Sequence, residues 1–165
     1  MLNDPIGFGE LWPEIALRLG LAAAVGMALG IDRERHGVAA GIRTHGIVCL
    51  SGAVVTVTAL MLWRQLGGPE GQTDPLRVIE GMAAAVGIVA AGLVFVKGGD
   101  VKNLTSAAHV WLTVTIGIAC GAGYWPVVAI GGGLALVMLV AVKFLSARIG
   151  PPEEDKIVET EREER

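Results

Sequence analysis

Two short polar clusters on either side of a glycine-containing connection hold most of the side chains that could do chemistry. Arginine at a helix C-terminus is favoured by the helix dipole, whereas carboxylates are not, so the acids in the first cluster need a partner or a function. Asp32 and Glu34 are therefore candidate ligands for a cation such as Mg²⁺, although two carboxylates are few for a dedicated site. A mutually paired, solvated cluster that only orients the chain is the alternative. The residues concerned are Asp32, Arg33, Glu34, Arg35, Arg43, Thr44 and His45.

A second polar group opens the fourth apolar run and is predicted to lie on the same side of a membrane. Its members are Lys97, Asp100, Lys102, Asn103, Thr105, Ser106 and His109. Ser106 and His109 share a helix face because they are three residues apart. A polar residue within lipid usually faces protein or water. His109 is therefore either a hydrogen-bonded packing residue or a proton-sensing group.

Three charged residues are predicted to lie toward the outer ends of the first and third apolar runs, namely Arg18, Arg77 and Glu80. Charges within a membrane are candidates for function by default. Glu14 and Arg18 are four residues apart, and Arg77 and Glu80 are three apart, so each arginine has a local acid with which it could pair. A functional and a purely structural interpretation both stay open.

Long apolar helices must position these groups. The chain has 165 residues, 53% of them hydrophobic and 18% charged, and the charges lie between long apolar runs. This pattern is typical of a polytopic membrane protein. It predicts an all-α bundle of about five transmembrane helices, each close to the ~20 residues that a bilayer requires. The predicted spans are 14–31, 46–66, 76–96, 104–120 and 127–145.

The distribution of Lys and Arg predicts the orientation of the bundle. Cytoplasmic loops carry an excess of Lys and Arg, and these residues are concentrated between spans one and two, between spans three and four, and near the C-terminus. The N-terminus is therefore predicted to lie outside and the C-terminus in the cytoplasm. Residues 1–146 form the predicted transmembrane domain, and 147–165 a charged, disordered cytoplasmic tail that cannot bury enough surface to fold alone.

Small residues recur every four positions in three of the predicted spans, at Gly26 and Gly30, at Gly87 with its neighbours Ala83 and Ala91, and at Gly117 and Gly121. Such faces allow helices to approach closely. Packing within one chain is one use for them, and formation of a homo-oligomer is the other.

Signatures of catalysis and of metal binding by cysteine are absent from the sequence. It contains no Walker A, dinucleotide-binding, HExxH or GxSxG motif, and Cys49 and Cys120 are isolated within apolar runs. We therefore expect neither an enzyme nor a bound cofactor. The expected surroundings are the lipid bilayer and other proteins, not nucleic acid.

Five segments resemble the motifs of one known family. LGIDRER at 29–35 resembles the segment LGxERE, and AGIRTH at 40–45 resembles AGLRTH. Arg77 begins a stretch ending in AGLVF, LTSAA at 104–108 precedes Trp111, and a glycine-rich segment ends at Tyr124. In this order, from about residue 19 to 140, the chain resembles the MgtC/SapB family of bacterial inner-membrane proteins. It departs from the pattern at Ala85, Ile88 and Ala90. It also departs at Asn103, a position where the family has glycine.

The resemblance implies a role in adaptation to magnesium limitation, acid stress or survival inside host cells. It favours regulation of another membrane complex, such as the proton-translocating ATP synthase, over magnesium transport. A homo-oligomeric channel or transporter for Mg²⁺, a monovalent cation or protons is the alternative. The C-terminal cytoplasmic domain of longer members is expected to be missing. The motif residues carried over are Arg33, Glu34, Arg43, Thr44, Arg77, Thr105 and Trp111.

Overall fold

Five α-helices and one short β-hairpin make up the part of the chain that the computed structural model describes, residues 8–35, 40–97 and 99–149. The helices are α1 (Phe8–Arg35), α2 (Ile42–Gln65), α3 (Leu76–Ala91), α4 (Leu104–Ala122) and α5 (Trp125–Ile149). A single 3-10 turn, Gly68–Glu70, lies between α2 and α3. The antiparallel strands β1 (Phe95–Lys97) and β2 (Asp100–Lys102) lie between α3 and α4.

Three of the described helices, α1, α2 and α4, are long and apolar enough to cross a membrane. α3 has 16 residues, and α5 has 25, of which Trp125–Leu139 form an apolar helical stretch. The helical bundle that the apolar runs predict is therefore present.

Several element boundaries differ from the sequence-based prediction, and two of the differences affect the polar clusters. α1 continues through Arg35 and α2 begins at Ile42, so both clusters lie in helical turns, where the predicted spans left them in a loop. α5 continues through Ile149, three residues past the predicted end of the transmembrane domain at 146. The remainder of the predicted tail, 150–165, lies outside the described residues.

The third predicted span, 76–96, is too long, and a short β-hairpin accompanies the predicted all-α bundle. α3 ends at Ala91, where the Gly92 amide bonds back to the Ile88 carbonyl. β-Branched and aromatic residues follow, and these favour extended backbone over a further helical turn. Asn103 ends the hairpin with a φ of 63°, and its side-chain amide donates to the Leu93 carbonyl at 3.2 Å.

Asn103 shows why this departure from the family's glycine is tolerated. Its backbone lies in the left-handed region, which glycine adopts freely and which Asn visits more readily than most other residues. The substitution therefore keeps the turn into α4 and adds a side-chain hydrogen bond that glycine could not make.

Close glycine contacts pack both α1 and α4 against α2. Gly26 on α1 leaves no room for a side chain, because an added Cβ would lie 2.5 Å from the Cys49 Cβ and 2.6 Å from the His45 carbonyl oxygen. On α4, Gly117 faces Cys49 and Gly121 faces Ala53. Since these last contacts advance together along both helices, α2 and α4 are parallel. The small residues of α1 and α4 therefore pack within the chain.

α3 and α5 pack around the group formed by α1, α2 and α4 and complete the bundle. α3 packs mainly against α4, and α5 packs against α4 and α1. The largest fully buried side chains include His45, Val110, Val114 and Thr113, so the core has a polar component near the beginning of α2. We refer to the end of the bundle where α1 finishes and α2 and α4 begin as the motif end.

Candidate functional site

Glu34 stabilises the start of α2. Its Oε2 accepts a hydrogen bond from the Ile42 backbone N–H at 3.1 Å. The first amides of a helix have no partner within the helix and lie at the positive end of its dipole, so a carboxylate is well suited to this position. A Cβ at Gly41 would collide with that carboxylate. Gly41 thus makes room for Glu34, and the acid has a structural task.

His45 and His109 lie close together, next to the connection between α1 and α2. His45 is fully buried, and its Nδ1 lies 3.0 Å from the Gly41 carbonyl oxygen, to which it must donate because a carbonyl can only accept. Its ring centroid lies 6.4 Å from that of His109, with the two rings nearly perpendicular. The His45 Nε2 is buried without a hydrogen-bond partner among the described residues.

Arg33, in the last turn of α1, lies near the two histidines. It is half-buried, and it interacts electrostatically with both imidazoles. Its Nε is buried without a partner among the described residues, as is the Oγ of Ser106, which lies one helical turn before His109. Buried polar atoms in proteins are usually paired with protein groups or ordered water. These four residues, Arg33, His45, Ser106 and His109, are called the inner polar cluster.

The two carboxylates proposed as metal ligands, those of Asp32 and Glu34, have different interaction partners. Residues two apart on a helix do not face each other. Glu34 bonds to the start of α2, whereas Asp32 interacts electrostatically with His109. The described part of the chain contains no group of three or more His, Cys, Asp or Glu side chains placed to hold a metal ion. The geometry therefore does not join Asp32 and Glu34 in one site.

Most of the other motif residues are exposed on the surface of the chain. Arg35, Arg43 and Thr105 are exposed, Thr44 is half-buried, and 45% of the Trp111 surface is accessible. The motif thus divides into two parts. Glu34, His45 and their neighbours hold helix ends together, while an arginine-rich and aromatic set points away from the bundle.

Arg18 holds the opposite end of the bundle together. Its Nη1 donates to the Gly121 carbonyl at 2.7 Å, which satisfies one of the carbonyls left without a partner at the end of α4. Its Nη2 forms an ion pair with Glu14, which confirms the pairing expected from their spacing. The guanidinium also packs against Gly123, whose φ is 76° and where a Cβ would lie 2.9 Å from Nη2.

Arg77 and Glu80 are not paired in this way. Both side chains are exposed on α3, and no ion pair joins them. The link between Arg18 and α4 has no signal in the sequence, because it joins residues 103 positions apart. The sequence analysis does not identify Gly41 as a functional position, although its place in the predicted connection between spans one and two, close to an acid, is the available clue.

We expect Arg18→Gln to reduce the free energy of unfolding by about 1–3 kcal/mol, the usual cost of removing a charged partner from hydrogen-bonded groups. Arg77→Gln is the matched control, and exposed substitutions of this kind change stability by about 0.5 kcal/mol or less. The measurement is equilibrium unfolding in mixed micelles, followed by tryptophan fluorescence. Equal stability of the two variants would contradict the role of Arg18 at the end of α4.

The polar clusters lie inside a region that matches a known family. The sequence model of the MgtC family matches residues 19–148, most of the chain. The chain belongs to the MgtC family. This finding confirms the resemblance read from the five motifs, and it shows a membrane protein of that family.

Named relatives are about 30% identical to this member of the MgtC family over the regions that match. SapB of Bacillus subtilis is 30% identical over 84% of this chain. "Putative magnesium transporter YhiD" of Escherichia coli K12 is 29% identical over 82%. MgtC of Brucella abortus is 29% identical over 75%. The matches span 61%, 64% and 48% of these relatives' own lengths. No solved structure matches the chain.

Proposed function

We propose that this member of the MgtC family is a non-enzymatic regulatory protein of the bacterial inner membrane that acts by binding another membrane complex. In this proposal the five helices all cross the bilayer, with the N-terminus outside and the motif end in the cytoplasm. The concentration of Lys and Arg at the adjoining ends of α1 and α2 and in the segment that joins α3 to α4 supports this orientation.

The division of the motif carries the proposal. Two motif residues already have tasks inside the fold, because Glu34 bonds to the start of α2 and His45 bonds to Gly41. Other exposed residues of the motif, which include Arg43 and Trp111, have no comparable task. Arg and Trp are the residue types most enriched among the dominant contacts of protein interfaces. We therefore propose that the exposed residues without such a task, Arg43 and Trp111 among them, contact the partner and that Glu34 and His45 hold them in position.

Such an interface requires a rigid arrangement of helices at the motif end. α1, α2 and α4 converge there, and Gly30 lies so close to α2 that an added Cβ would be 2.6 Å from the Ile42 Cα. Rigid presentation lowers the entropy lost on binding. A signal such as magnesium limitation would act on the abundance of the protein or on its partner, and the proton-translocating ATP synthase is the first partner to examine.

Transport is the second candidate, and the printed name of the relative YhiD favours it. Charged residues also lie at both ends of the bundle, with Arg18 at one end and Arg33 at the other. However, the close contacts of Gly26 and Gly117 with α2 interrupt any continuous path for an ion between α1, α2 and α4. A pathway would therefore have to form between copies in a homo-oligomer.

Complementation of a gene-deletion strain tests the regulatory proposal. Tagged wild type, Arg43→Ala, Trp111→Ala and the control Glu70→Ala are compared during growth at limiting magnesium. Glu70 is exposed between α2 and α3, away from the motif end. We expect Arg43→Ala and Trp111→Ala to recover at least tenfold less of a co-purifying membrane complex than wild type, the size of effect expected of interface hot spots. Cellular ATP should change in the same two strains.

Unaltered membrane complexes and unaltered ATP in the deletion strain would overturn the proposal. Ion flux in sealed proteoliposomes separates it from transport. We expect no flux of Mg²⁺, Na⁺, K⁺ or H⁺. Flux in the wild type that is lost in Glu34→Gln and in Arg43→Ala would instead establish a transporter gated at the motif end.

A further inference from the structure

A cavity of about 210 Å³ lies between α1 and α2, at the end of the bundle opposite to the proposed partner interface. Apolar side chains form most of its wall, among them Ile15, Leu60 and Trp63. Three charged residues also line it, namely Glu14, Arg18 and Arg64. This combination of an apolar wall and guanidinium groups has no part in the regulatory proposal and is independent of it.

The length of α4 places this cavity at the level of the lipid headgroups. α4 has 19 residues, and at about 1.5 Å per residue it spans about 28 Å, close to the thickness of the hydrocarbon core. Its last residue, Ala122, lines the cavity, while the other lining residues belong to α1 and α2. The exposed aromatic side chains of Tyr124 and Trp125 follow directly, as expected where a chain meets the membrane–water interface.

The charges around the cavity favour an anion. Glu14 is paired with Arg18, so the positive charge of the exposed Arg64 has no balancing acid within the cavity lining. The Nε of Arg18 is buried and has no hydrogen-bond partner among the described residues. Guanidinium groups are well matched to phosphate, because their fixed N–H groups can donate two parallel hydrogen bonds.

We infer that the cavity binds an anionic phospholipid from the surrounding bilayer. Its phosphate lies against Arg64 and the adjacent Arg18, and the first part of an acyl chain occupies the apolar wall near Ile15 and Leu60. The apolar wall distinguishes this ligand from a free phosphate ion, and the net positive charge distinguishes it from a neutral lipid. A lipid held between α1 and α2 would stabilise the ends of these helices beyond α4.

Binding of a short-chain phosphatidylglycerol to the purified full chain in detergent tests the inference. Bound lipid is counted by native mass spectrometry, and the midpoint of thermal unfolding is measured in parallel. Arg64→Gln removes the exposed charge without touching the link between Arg18 and α4. Leu60→Trp fills the cavity and keeps both arginines. Lys97→Gln, which removes an exposed cation from the β-hairpin at the motif end, is the control.

We expect Arg64→Gln to weaken binding about fivefold, the effect of one basic residue at an anionic lipid surface. Leu60→Trp should abolish both the bound lipid and the rise in the unfolding midpoint, and Lys97→Gln should behave as wild type. Equal affinity of wild type and Arg64→Gln would overturn the inference. So would equal binding of phosphatidylcholine, an equal rise in midpoint with inorganic phosphate, or an equal loss of binding in Lys97→Gln.

Discussion

Gly117→Ala is expected to prevent most of the protein from reaching its native packing. A Cβ at this position would overlap the carbonyl group of Cys49 on α2 and lie 3.0 Å from the Cys49 Cα. The obstacle is backbone, so no change of side-chain rotamer can relieve it. Forcing extra volume into a well-packed core usually costs about 1–3 kcal/mol, and separation of two helices along their length costs more. The gain in helix propensity from Gly to Ala, about 1 kcal/mol, is too small to compensate.

Gly87→Ala on α3 is the matched control, because the same change there meets no atom within 4 Å. We expect the free energy of unfolding of this variant to equal that of wild type or to be slightly higher, owing to the better helix propensity of alanine. Yield of monodisperse protein and equilibrium unfolding in mixed micelles provide the comparison. A folded Gly117→Ala variant with wild-type stability would contradict the close contact between α2 and α4.

These two glycines also show how far the sequence can predict the packing. The four-residue spacing of small residues correctly identifies faces of α1 and α4 that contact α2. The same spacing occurs on α3, yet Gly87 has open space beside it in the described structure. Spacing identifies a face that allows close approach, but it contains no information about which helix approaches it. Only the three-dimensional arrangement separates the contact of Gly117 from the open position of Gly87.

The bundle was predictable because long apolar runs must pair their backbone groups internally, and helices do so within one segment. The β-hairpin was not, because Val94 to Val96 is apolar enough to extend a predicted span. What turns these residues into a strand is their pairing with Asp100–Lys102, a contact that hydropathy does not encode. In the same way, the charge clusters were evident from the sequence, whereas the fully buried position of His45 depends on how α4 packs.

Glu34→Ala is expected to lower the free energy of unfolding by about 1–2 kcal/mol, the usual cost of losing a helix N-cap. Its carboxylate bonds to the Ile42 amide at the start of α2 and lies against Gly41. Gly41→Ala should cost at least as much, because the new methyl group displaces the carboxylate. Since both changes break one contact, they cannot act independently. The double variant should therefore be no less stable than Gly41→Ala alone.

A double-mutant cycle measured by equilibrium unfolding distinguishes this helix-capping role from metal binding. If Glu34 caps α2, Gly41→Ala becomes nearly neutral in the Glu34→Ala background, since the methyl group then has room. Glu34→Gln should be milder than Glu34→Ala, because its amide oxygen still accepts a hydrogen bond from Ile42. Mg²⁺ should not change this order. Additive losses, or a stabilisation by Mg²⁺ that disappears in Glu34→Gln, would instead make the carboxylate a ligand, and the exposed arginines would then surround a cation site.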